Sequence, residues 1–126
     1  DGATLLLTAT SPITIFPNLA KTQYDPLASF VPIGSAAVGP VVIAATSALQ
    51  VRNFAALLAK AREKPDQLTF GVPGLGSVAH LGMAALMEQT DTKMRQIPYR
   101  GNSQALTDGL GGVVDLLVTN SDVLLP

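Results

Sequence analysis

The chain has 126 residues, 48% of them hydrophobic and 13% charged, a make-up suited to one globular domain with a well-buried core rather than to disorder. A net charge of −1 with no basic block, few aromatics and no tryptophan leave nucleic acid and anionic membrane surfaces without support as partners. With no cysteine, a single histidine and no clustered carboxylates, disulfides and metal sites lack the ligands they need, and no cofactor motif is present.

In chain order, residues 3–8 read as a short buried strand, followed by the polar turn Thr8-Ala-Thr-Ser-Pro12. Pro12 suits the first position of a helix with Ser11 as its cap, and Pro17 limits how regular that helix can be. Residues 21–29 form a loop. Two apolar runs follow, 30–36 and 41–45, separated by Gly39-Pro40; the second is apolar throughout, as expected of a strand covered on both faces. Helix evidence is best at 53–64, where Phe54, Leu57, Leu58 and Ala61 make one stripe, Asn53 can cap the start, and Pro65 closes the end. Lys60, Arg62 and Lys64 sit where cations complement the helix dipole.

The segment Leu68-Thr-Phe-Gly-Val-Pro-Gly-Leu-Gly-Ser-Val-Ala-His-Leu81 is the most informative stretch. A β-prone run at 68–72 meets a loop with glycines at 71, 74 and 76, then a helix over about 78–89 with Ser77 as its N-cap. Glycines admit φ > 0 and close approach of a ligand to the main chain. The first amides of a helix lack intrahelical partners and carry partial positive charge, so the device is a candidate anion or carboxylate cradle. It is not a P-loop, because Ser77 stands where the lysine belongs, and the glycine order does not match the dinucleotide-binding fingerprint. A glycine-rich turn that only connects strand to helix would give the same pattern.

Beyond the cradle, 94–98 reads as a strand, 99–102 as a turn, 103–110 as a short helix stopped by Gly111-Gly112, and 113–118 as another strand. This alternation predicts an α/β layer with a largely parallel sheet, its ligand beyond the carboxyl ends of the strands.

The residues resemble the substrate-binding proteins of tripartite tricarboxylate transporters, the Bug-type periplasmic receptors. The matching stretches are Asp1-Gly-Ala-Thr-Leu-Leu6, Tyr24-Asp-Pro26 with Phe30-Val-Pro-Ile33, Leu68-Thr-Phe-Gly71 through Gly76-Ser77 and His80-Leu81, Ile97-Pro-Tyr-Arg-Gly101, Ala105-Leu-Thr-Asp108 and Gly111-Gly-Val-Val-Asp-Leu116. Each is weak alone; the ordered set is specific. The resemblance implies a periplasmic-binding-protein-like (type II) fold of two α/β domains closing around a small carboxylate, with residues 1–34 in the first domain and its crossover and 35–126 in the second. It implies a periplasmic receptor that serves membrane transporter subunits. It also implies that the family's first strand and first carboxylate loop precede Asp1, and that the return to the first domain follows Pro126. The abrupt start and finish likewise read as an excised piece of a larger protein, and no signal peptide is visible.

Position by position, Gly74, Gly76, Ser77, Val78 and Ala79 look like the second-domain carboxylate loop, offering amides and the Ser77 hydroxyl. Thr8, Thr10 and Ser11 resemble the first-domain loop that brings hydroxyls to the cleft. Asn120 aligns with an asparagine after the family's Val-Asp-Leu strand; Thr119 stands where aspartate is common, which removes a negative charge near the cleft.

His80 can contact the ligand, cap a loop or be solvated. Asp115 lies in an apolar strand, where a hydrogen bond to a neighbouring loop would account for it. Asp108 is expected to face solvent, and Arg100 is either a ligand partner or a surface charge. An α/β enzyme acting on a small anion is the alternative reading, but no base, nucleophile or cofactor motif supports it. An excised fragment would also expose strand edges and so dimerise or exchange elements.

Overall fold

The structure is a computed structural model and describes residues 2–124. Asp1, which opens the first matching stretch, and Leu125 and Pro126 lie outside the described residues. The elements are α1 (Thr10–Thr14), α2 (Phe16–Leu19), β1 (Val41–Ala45), α3 (Phe54–Glu63), β2 (Thr69–Val72), α4 (Val78–Thr90), β3 (Arg95–Pro98), α5 (Asn102–Leu110), β4 (Leu116–Asn120) and α6 (Ser121–Leu124). No helix among them is long and apolar enough to cross a membrane.

The four strands form one sheet in the order β1-β4-β2-β3. β2 runs parallel to both β3 and β4, and β1 pairs antiparallel with β4. The sheet is therefore mixed, with its parallel part at the cradle. β2 is buried along its whole length and β4 over all but its last residue, because each lies between two other strands.

The period of two sorts side chains to opposite faces. Phe70, Val72, Leu116 and Val118 join Leu57 and Ala61 of α3 and Ala79 and Met83 of α4 in the larger core. Leu117 joins Tyr99, Ala105 and Val114 in the smaller one beside α5. Each large apolar side chain so buried contributes about 1.5–3 kcal/mol, which makes β2 a rigid base for the loop that follows it.

Several expected elements form as read. The Asn53 side chain caps α3 by accepting the Ala56 N–H at 2.8 Å. Ser77 caps α4 by accepting the His80 N–H at 3.2 Å. Others do not. Residues 3–8 are not a strand: none of the described strands runs beside them, and Leu5, Leu6 and Leu7 are exposed. A strand is held by the ladder to its neighbour, and the described sheet offers this run no neighbouring strand.

Ser11 does not cap the first helix. That helix starts at Thr10 with Ala9 as its cap; it stops at Thr14 and a second short helix follows from Phe16 with Pro17 in its first turn, the irregularity expected of Pro17. β1 is not covered on both faces, because it is the sheet's edge and leaves Val41 and Ile43 more than a third exposed. The final strand starts three residues late, at Leu116, because Asp115 is held elsewhere. Its Oδ2 accepts the Thr69 N–H at 2.8 Å and the Thr69 hydroxyl at 2.9 Å. Asp115 thus ties the starts of β2 and β4 together.

Candidate functional site

The cradle leaves β2 through a tight turn in which the Gly74 N–H donates to the Val72 carbonyl at 2.8 Å. That carbonyl also accepts the Tyr99 N–H at 2.9 Å, so the ends of β2 and β3 are pinned together. Gly74 and Gly76 have φ of +120° and +72°, conformations that side chains resist. Ser77 then closes the loop on itself: its hydroxyl donates to the Gly74 carbonyl at 2.9 Å while accepting the His80 N–H.

Half of the amides from Gly74 to Ala79 are already engaged. Gly76 N–H donates to His80 Nδ1 at 3.0 Å, and Val78 N–H donates to the Ser11 hydroxyl at 3.2 Å. With Gly74 bound to Val72, the amides without a hydrogen-bond partner among the described residues are those of Leu75, Ser77 and Ala79. Of these residues Leu75 is exposed, Ser77 half-buried and Ala79 buried, its side chain packing in the larger core.

Ser11 is the member of the 8–11 turn whose side chain reaches the cradle. Thr8 bonds the neighbouring Ala9 carbonyl, and Thr10 lends its carbonyl to the Thr14 hydroxyl. Two more neighbours, Ile15 and Leu19, went unread in the sequence: a Cβ built on Gly76 would lie 2.7 Å from Leu19 Cδ1 and 3.9 Å from Ile15 Cγ2. Their spacing of four, about one helical turn, was the available signal. Asn120 ends β4 on the same side of the sheet. Gly71 pairs with Leu117, so Asn120, three residues further on, closes β4 at the carboxyl end of the parallel pair, where β2 gives way to the cradle. Thr119 beside it is buried and donates its hydroxyl to Asn102 Oδ1 at 2.8 Å, fastening β4 to the start of α5.

Asp108 is not a free surface charge, contrary to expectation. It accepts the Tyr99 hydroxyl at 2.8 Å. The Tyr99 ring lies against Gly71, where a built Cβ would meet it at 3.0 Å, so a side chain at 71 would push the ring away. Burial and the bonded Asp108 carboxylate push the Tyr99 phenol up to about 12 from 10. The fold therefore favours the protonated phenol. That stabilisation is complete below pH 10 and is lost as pH rises from 10 to about 12. Thermal unfolding across this window is expected to show a falling midpoint, with a shallower fall in Tyr99→Phe; equal slopes would refute the assignment.

A surface hollow of about 810 Å³ lies between α1, α2 and residues 22–27, and no residue of the cradle lines it. Its one carboxylate, Asp25, is already used by the amides of Leu27 and Ala28. The amide loop, not this hollow, carries the recognisable chemistry.

A family model described as the tripartite tricarboxylate transporter family receptor matches residues 1–126. The chain belongs to this receptor family. Protein BugT of Bordetella pertussis is 32% identical over 99% of this chain and 39% of its own length. A protein encoded in the tcbD-tcbE intergenic region of Pseudomonas sp. (strain P51) is 33% identical over 94% of this chain and 35% of its own. Among solved structures, R. palustris Rpa4515 with adipate superposes with a TM-score of 0.79 at 33% identity, covering 82% of this chain and 34% of that one. The chain thus spans a little over a third of the length of these curated relatives. The α/β fold expected from the sequence is observed over the part of the receptor that this chain covers.

Proposed function

We propose that the protein carrying this chain is a periplasmic receptor for a small organic carboxylate, which it passes to the membrane subunits of a tripartite tricarboxylate-type transporter. The observation that carries this reading is the glycine loop at the head of α4, in a member of the receptor family, with the amides of Leu75, Ser77 and Ala79 left without partners. A carboxylate held there gains hydrogen bonds and the favourable end of the α4 dipole without a buried ion pair. The relative Rpa4515 solved with adipate fits this chemistry. Residues 1–34 belong to the first domain and 35–126 to the second. Thr8, Thr10, Ser11 and Asn120 line the rim, and closure follows as a ligand-driven population shift.

Catalysis is not part of the proposal. The Ser77 hydroxyl is engaged with Gly74 and with the His80 backbone, and the Nδ1 of His80 with Gly76, so the two side chains form no nucleophile–base pair with each other.

The test is ligand-induced thermal shift on the full-length protein with adipate, malate, citrate and aromatic acids. We expect one of these to raise the unfolding midpoint by several degrees and Ser77→Ala to remove most of that gain. Losing the cap should itself cost about 1 kcal/mol of stability. If no acid shifts the wild-type midpoint, the carboxylate reading fails.

A further inference from the structure

His80 is the chain's one histidine, and it occupies an unusual place in a familiar device. In a capping box the N-cap side chain takes the amide of the third helical residue, and that residue's side chain returns to take the amide of the N-cap itself. The first half is present, with the His80 N–H on the Ser77 hydroxyl at 3.2 Å. The second half is shifted by one residue. His80 Nδ1 accepts the amide of Gly76, the residue before the cap, at 3.0 Å.

This shift has a chemical result. A glutamate or glutamine completing the usual box would occupy the Ser77 N–H. Here that amide is left open, while the φ > 0 glycine before it is held in place. An imidazole nitrogen accepts only while it is unprotonated, so the neutral ring carries its proton on Nε2. Neither residues 73–79 nor α1 and α2 bring a charged side chain to this corner. The ring therefore fixes the loop without placing an anion beside the amides.

We infer that His80 is a positioning residue that reserves the Ser77 amide for the ligand: it spends its acceptor on Gly76 and keeps a carboxylate out of the third helical position. This rests on the carboxylate reading of the same loop. His80→Glu is the informative variant, because it can complete the ordinary capping box. Its fold should be as stable as wild type or more so, yet its Ser77 amide would be filled and a negative charge placed at the site. His80→Asn keeps an acceptor close to the Nδ1 position and should rescue binding, whereas His80→Ala frees Gly76.

Isothermal titration of the full-length protein with adipate, or with whichever acid of the panel binds wild type, tests this. We expect His80→Asn to stay within about threefold of wild type, His80→Ala to weaken binding about tenfold, and His80→Glu to weaken it at least a hundredfold with an undiminished unfolding midpoint. Nitrogen-15 spectra of the ring should show the neutral Nε2–H tautomer. Wild-type binding with His80→Glu unchanged, or an Nδ1–H tautomer, overturns the assignment of His80 alone. A wild-type protein that binds no acid overturns the carboxylate reading and this inference with it.

Discussion

Replacing Asp115 with alanine is expected to lower stability by about 3 kcal/mol, read as a reduced denaturation midpoint in urea. The Asp115 carboxylate accepts two hydrogen bonds from one residue, the N–H and the hydroxyl of Thr69, and Thr69 is buried. The Thr69 hydroxyl in turn accepts the Asp115 N–H at 3.1 Å, so the link is reciprocal. Alanine removes both charge-assisted bonds and strands a buried amide at the start of the most buried strand. Asp115→Asn preserves an acceptor and should lose roughly half as much. An alanine variant within 0.5 kcal/mol of wild type would show that water replaces the carboxylate without penalty.

Gly109→Val should be about as damaging, at roughly 3 kcal/mol. Helix propensity argues the other way, since glycine in a helix interior is about 1 kcal/mol worse than alanine. Packing wins because a Cβ at 109 would lie 2.4 Å from Leu117 Cδ1 and 2.7 Å from its Cγ. Leu117 is buried in the sheet beneath α5 and has little room to yield. Relief should come from a smaller partner: Leu117→Ala combined with Gly109→Val should lose less than the two single effects added together. Strict additivity in that double-mutant cycle would rule out the clash as the cause.

What was legible in the sequence was local. Asn53 and Ser77 cap the helices expected of them, because a cap is decided within three residues. The strand–glycine loop–helix unit at residues 68–90 follows from apolar runs and φ > 0 positions, and both are properties of a short window. What was not legible depends on remote partners. Ser11 has the composition of a cap for its own helix, yet its hydroxyl serves an amide 67 residues away. Asp115 was expected to bond a neighbouring loop; its partner is instead Thr69 at the start of β2, 46 residues away, which nothing nearby in the chain reveals. The run at 3–8 has strand composition, but composition cannot supply a neighbouring strand. For the cradle, the residue types were legible and their occupancy was not: which amides are spent internally became visible only with the fold.

The edge pairing of β1 with β4 has a mechanical meaning. Val41 faces Asn120, and just beyond them the Ser121 N–H donates to the Pro40 carbonyl at 3.0 Å. The chain therefore enters the sheet at residue 40 and leaves it at residue 120 side by side. Tension that draws these two connections apart loads the β1–β4 ladder at one end, so its bonds yield in succession, like a zipper, rather than together. β4 is also laddered to β2 through Phe70–Leu116 and Gly71–Leu117, so the strand that takes the load at this end is the one that the cradle strand rests against.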